Sequence, residues 1–119
     1  MSLKVTFQER SKYLFAEFDG EWTEEAMTKA LDATREKADK QGMTKLLFDG
    51  LKVSEPANEM TRFYSGEHLA KVLGRPFKIS VFTRKEIYNQ FGENVARNRG
   101  ANIMVFFDED EALEWLFRT

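Results

Sequence analysis

The residues best placed by type to do chemistry are Asp49, Arg84, Asp108 and His68. Asp49 closes the run Lys45-Leu46-Leu47-Phe48-Asp49-Gly50, Arg84 lies in Thr83-Arg84-Lys85, and Asp108 follows Asn102-Ile103-Met104-Val105-Phe106-Phe107. All three fall at the ends of strand-like runs, and in open α/β sheets ligands gather beyond the carboxyl ends of the strands. A carboxylate there could take part in metal or phosphate chemistry, and a basic residue near a helix N-terminus could hold an anion. The set is sparse. Asp49 has no second acidic ligand beside it, although Asp108 could approach it if their strands adjoin, and a strand-end aspartate equally serves to bond neighbouring backbone N–H groups. His68 is the single histidine; it could exchange protons near neutrality, but no Ser nucleophile has a recognisable setting beside it. The absence of cysteine removes disulfides, thiolate chemistry and the softest metal ligands. The glycines are isolated rather than gathered into a phosphate-cradling loop. Arg97 is accounted for by pairing with Glu93 at i, i+4, and Arg97 and Arg99 suit the negative end of a helix. The expectation is a non-enzymatic protein with no catalytic residue, metal or cofactor.

The elements that must position these residues are legible from periodicity. Leu3, Val5 and Phe7 alternate in a half-exposed edge strand, and Tyr13 to Phe18 forms a second, more buried one after the tight turn at Arg10-Ser11. Asp19-Gly20 is expected to end this antiparallel hairpin. Thr23 caps a helix carrying Met27, Ala30, Leu31, Thr34 and Ala38 on one face, with Gly42 at its end. The run Leu46 to Gly50 is apolar on both pleat faces, which suits a central strand of a parallel sheet. Ser54, with Pro56 in the first turn, predicts a second helix from about Glu55 to Leu73. Phe77 to Phe82 is the next strand. Thr83 and Glu86 form a capping box for a third helix carrying Ile87, Tyr88, Phe91 and Val95 and closed by Gly100. The strand at 102–107 and a last helix with Ala112, Leu113 and Leu116 complete the chain. The fold expected is a single α/β domain over residues 1–119, in the order ββαβαβαβα, with a mostly parallel five-stranded sheet and an antiparallel first strand.

The second helix breaks the pattern. At about 100° per residue, Met60, Phe63 and Tyr64 project to one side and Leu69, Val72 and Leu73 to another, with Ser65-Gly66 between. Either the helix bends there and both halves enter the core, which is the simpler reading, or it has two apolar faces and one meets something other than its own sheet. Together with Tyr88 and Phe91 of the third helix, Met60, Phe63 and Tyr64 are the candidate ligand- or partner-binding residues. An exposed patch of this kind marks a partner, an apolar ligand or a membrane surface.

The sequence Leu46-Leu47-Phe48-Asp49-Gly50-Leu51-Lys52-Val53 and the ending Asn94-Val95-Ala96-Arg97-Asn98-Arg99-Gly100-Ala101-Asn102 through Ala112-Leu113-Glu114-Trp115-Leu116, in this element order, resemble the small bacterial SpoIIAA-like proteins of the STAS/Sec14-like group. The resemblance implies strands in near-sequential order and two kinds of function: anti-sigma-factor antagonists, which bind a kinase and are switched by serine phosphorylation, and Sec14-type domains, which hold an apolar ligand behind a mobile helix. The antagonists carry an Asp-Ser-Ser-Gly-like box where this chain reads Ser54-Glu55-Pro56-Ala57-Asn58. Ser54 lies early of the box position, so no phosphoacceptor is carried over. The first functional expectation is a module that binds an apolar or lipid-like ligand or a membrane surface through its second and third helices. The alternative is an antagonist-like regulatory module with a protein partner. A net charge of −2 and the lack of a basic stripe interleaved with aromatics argue against nucleic acid. No signal-peptide pattern and no long apolar run occur, so the expectation is a cytoplasmic protein, with peripheral contact to a membrane left open. A homodimer is also open.

Overall fold

Alternation along the strands decides which helix each side chain meets. Residues 2–56 and 58–118 are described by this computed structural model, with the backbone alone at Ile87. The packing expected of Ile87 and the Ala57 position of the box therefore lie outside the described residues. The strands β1 (Lys4–Arg10), β2 (Tyr13–Glu21), β3 (Lys45–Ser54), β4 (Lys78–Phe82) and β5 (Asn102–Phe106) lie side by side in chain order. The pair β1–β2 is antiparallel and every later pair is parallel. The helices are α1 (Glu24–Gln41), α2 (Glu59–Val72), α3 (Phe91–Asn98) and α4 (Glu109–Leu116), with a 3-10 turn at Lys85–Ile87.

On one side of the sheet Leu14, Ala16, Phe18, Leu46, Phe48, Ile79 and Ile103 pack against Leu31 of α1, Leu69 of α2 and Ala96 of α3. The alternate residues Phe15, Leu47 and Phe82 face Ala112 and Leu116 of α4. This is a three-layer arrangement in which each parallel connection crosses the same face, as short right-handed crossovers between adjacent strands require. The helix α1 forms as its sequence predicts. The Thr23 hydroxyl accepts from the Ala26 N–H, the buried residues are Met27, Ala30, Leu31, Thr34 and Ala38, and Gly42 ends it at φ 65°.

Several boundaries differ from the sequence expectation. Asp19-Gly20 does not end β2, which continues to Glu21 alongside Lys52, Val53 and Ser54 of a correspondingly longer β3. Gly20 sits at φ 126°, and a Cβ there would come within 2.6 Å of the Ser2 carbonyl oxygen, so only glycine lets the N-terminal segment pass this close. Ser54 is thus a strand residue, and Asn58 caps α2 by accepting from the Thr61 N–H. The helix α2 runs unbroken through Ser65-Gly66. Its buried residues are Arg62, Ser65, Gly66 and Leu69, so the reading in which a bend takes both apolar halves into the core gives way. The box at Thr83 does not form either. The Thr83 hydroxyl donates to the Gly50 carbonyl and its N–H to the Phe106 carbonyl, which hold it in register with the sheet. The third helix therefore begins only at Phe91, whose N–H donates to the Asn89 side chain.

Candidate functional site

The site grows from the close crossing of α2 and α3. A Cβ on Gly66 would lie 2.5 Å from the Gly92 carbonyl oxygen and 3.2 Å from the Val95 side chain. Without it the two backbones approach closely, and the large side chains beside the crossing meet on the outside. The Phe63 and Phe91 rings stack with centroids 6.3 Å apart and planes 27° apart. Tyr64 meets Phe63 edge-on at 5.4 Å. The Arg99 guanidinium lies 5.2 Å from the centre of the Phe63 ring and 3.6 Å from Glu67. Met60 shares this face of α2, three and four residues before Phe63 and Tyr64. Met60 is 50% exposed, Phe91 40% and Tyr64 39%. Four of the expected residues, Met60, Phe63, Tyr64 and Phe91, are thus brought onto one surface. Tyr88 is not: its ring packs edge-on against Phe107 at 5.3 Å.

The inner face of α2 is polar where an ordinary amphipathic helix is apolar. Arg62 is buried, donates from Nε to Glu59 at 3.1 Å, lies 3.7 Å from Glu55, and covers the Trp22 ring at 5.3 Å. The Trp22 indole N–H donates to the Ser65 hydroxyl at 2.9 Å. Across from them, the buried Glu93 carboxylate accepts from the Tyr88 hydroxyl and from the Val105 N–H, and lies 3.7 Å from Arg97. Burial, then the hydrogen bond to Glu93 and the negative charge of that carboxylate, push the Tyr88 hydroxyl up to about 12. Between these groups and the sheet lies a half-open cavity of about 160 Å³, lined by Phe48, Leu69, Val81 and Ile103 and also by Thr83, Tyr88 and Asn89. Hydroxyl, amide and carboxylate groups there can orient a ligand, but among the described residues no nucleophile and base are paired there.

The residues expected at strand ends are occupied separately, and Asp49 lies within β3, which continues to Ser54, rather than at its end. Asp49 is buried and its Oδ1 accepts from the Leu51 N–H at 2.9 Å. Desolvation raises its pKa, against the lowering effect of that hydrogen bond. Arg84 donates to the Val53 carbonyl at 2.8 Å, and Asp108 caps α4 by accepting from the Glu111 N–H. The strand β4 lies between β3 and β5, which separates the backbones that carry Asp49 and Asp108 by about 10 Å. Among the described residues no group of His, Cys, Asp or Glu is placed to hold a metal ion. His68 Nε2 lies 2.6 Å from Asp32 Oδ1, a joint between α2 and α1. Sequence reasoning missed Trp22, Arg62, Ser65 and Glu93 as a set. The available signal was the spacing of Arg62, Ser65, Gly66 and Leu69, which is an inward helical stripe once Met60 and Tyr64 are assigned outward.

No protein-family model matches the sequence. None of the curated proteins is similar to it in sequence. Solved structures are similar in fold. An anti-sigma factor antagonist from Mycobacterium paratuberculosis superposes with a TM-score of 0.69 at 14% identity, over 98% of this chain and 96% of that one. An uncharacterized protein with a SpoIIAA-like fold from Shewanella loihica gives 0.61 at 18% identity, over 97% and 93%. The anti-sigma factor antagonist SpoIIAA in its unphosphorylated form gives 0.51 at 15% identity, over 95% and 97%. This chain has the SpoIIAA-like fold.

Proposed function

We propose that this protein is a non-enzymatic regulatory module that binds a protein partner through the outer face of α2 and the start of α3. The observation that carries this reading is the exposure of Met60, Tyr64 and Phe91 around the half-buried Phe63. Aromatic residues, Met and Arg are the types enriched where proteins meet, and an aromatic side chain held by a neighbouring ring loses little freedom on binding. The likeness to two anti-sigma factor antagonists supports the same reading at the level of fold. The partner chemistry that fits is an apolar protein surface with an acidic residue able to meet Arg99.

The regulation is not proposed to run through a serine at the start of α2. Ser54 lies on β3 and Asn58 occupies the cap. A long-chain lipid suits the interior poorly, because a cavity near 160 Å³ is of the size that takes a molecule such as benzene. No helix among the described residues is long and apolar enough to cross a membrane.

The test compares the wild-type chain with a Tyr64→Ser, Phe91→Ser double variant in cross-linked cell extracts, with cross-links mapped to α2. The expected result is a protein cross-linked at Met60 or Phe63 whose affinity, measured with both purified proteins, falls about thirtyfold or more in the variant, as loss of a hot spot does. Equal binding by both chains overturns the proposal. So does variant-sensitive flotation with vesicles, which assigns the face to a membrane, or a dimer that the variant dissolves, which assigns it to a second copy.

A further inference from the structure

We infer that the cavity beneath α2 is a binding site for a small uncharged molecule built on one aromatic ring and bearing a hydroxyl group. The inference concerns the inner face of α2 and stands whether or not the outer face docks a partner.

Size sets the first limit. A cavity of about 160 Å³ matches those that admit a single ring and excludes a long acyl chain. Its walls are apolar, from Phe18 and Phe48 on the sheet to Leu31 on α1 and Leu69 on α2. Thr83, one of its lining residues, follows directly on the carboxyl end of β4, and sheets of this type receive ligands beyond those ends. Polar capacity sets the second limit. The Ser65 hydroxyl accepts from Trp22, and among the described residues no acceptor takes its proton. The Thr83 hydroxyl donates to Gly50 and keeps lone pairs for a donor. A ligand hydroxyl both accepts and donates, and so can answer either group. Charge sets the third. The two charged residues of the lining are already matched, Arg62 by Glu55 and Glu59 and Glu93 by Arg97, so an ion entering this apolar interior would lose its hydration without gaining a counter-charge.

The probes are p-cresol, toluene, benzoate and decanoate, titrated into the full chain and followed by amide chemical shifts and by thermal unfolding. The expected result is saturable p-cresol binding that raises the unfolding temperature and shifts the amides of Ser65, Gly66, Gly92 and Val105 first. Toluene should bind about tenfold more weakly, the worth of one buried hydrogen bond. Benzoate should bind at least tenfold more weakly again. Ser65→Ala should bring p-cresol and toluene to within about threefold of each other. If that variant unfolds, the wild-type contrast between p-cresol and toluene still decides the point. Absence of saturable binding overturns the inference, as does a preference for benzoate or decanoate, or shifts that centre on Phe63 and Phe91 outside the cavity.

Discussion

The helices α1 and α2 lie against the same sheet and are built on opposite rules. In α1 the large apolar residues Met27 and Leu31 are buried, and the flanking Glu25–Lys29 and Arg35–Asp39 pairs are exposed. In α2 the large apolar residues Met60 and Tyr64 are exposed while Arg62, Ser65 and Gly66 are buried. A helix that needs only to fold has no reason to pay the desolvation cost of an arginine while leaving a methionine in water. The inversion is the contrast on which the proposed docking face rests, since local rules are expected to fail where residues serve something besides folding.

The largest expected effect lies on the α1 side of this contrast. Leu31 is 2% exposed and sits in the main core, so Leu31→Ala should cost about 2–5 kcal/mol in denaturant unfolding. A cost below about 1 kcal/mol would mean that α1 is not the anchor that its pattern indicates. Next is Gly66→Ala. Alanine gains about 1 kcal/mol of helix propensity over glycine, but its Cβ would meet the Gly92 carbonyl at 2.5 Å, and backbone cannot swing aside. A net loss of about 1–3 kcal/mol is expected from the forced separation of α2 and α3. A gain in stability would show that the crossing is loose.

These differences explain what could be read in the sequence and what could not. The stripe Met27, Ala30, Leu31, Thr34, Ala38 and the cap at Thr23 are local features, so α1 was legible to the residue. The single antiparallel pair followed from element order, and the sequential strand order from the resemblance to SpoIIAA-like proteins. The ends of β2 and β3 were not legible, because they depend on Ser2 passing over Gly20, a contact between residues far apart in sequence. Asn58 replaced Ser54 as cap for the same reason: pairing of Ser54 with Glu21 extends the strand past the local signal. At the site, the cluster Met60, Phe63, Tyr64 and Phe91 could be named, since helical spacing gathers the first three. The cavity and the Tyr88–Glu93 pair could not. Glu93 looked like half of a surface pair with Arg97, and only the fold turns its carboxylate inward to the Val105 N–H.

That pair provides the third test. Tyr88→Phe removes the hydrogen bond to a buried carboxylate and should cost about 1–3 kcal/mol at neutral pH. The raised Tyr88 value means that the folded state holds the phenol proton more tightly than the unfolded chain does. The wild-type advantage is therefore fully present below the ordinary tyrosine value of 10.0, and it is lost as pH rises from there to about 12. Stability curves of wild type and variant should converge across that interval. Parallel curves would mean that the Tyr88 hydroxyl is not held by Glu93 in solution.

The smallest expected effect is the sharpest, because it returns to α2 and asks for no change. Met60 is half exposed on the outer face, so Met60→Ser removes apolar surface that is already largely in water. Only a few tenths of a kcal/mol of helix propensity separate the two residues, and substitutions away from packed features stay within about 0.5 kcal/mol. Denaturant midpoints of the two proteins should therefore nearly coincide. A loss above about 1 kcal/mol would place Met60 in the fold after all and remove the distinction between the helices. A midpoint that stays put, while the same change weakens a cross-linked partner, leaves binding as the role of that methionine.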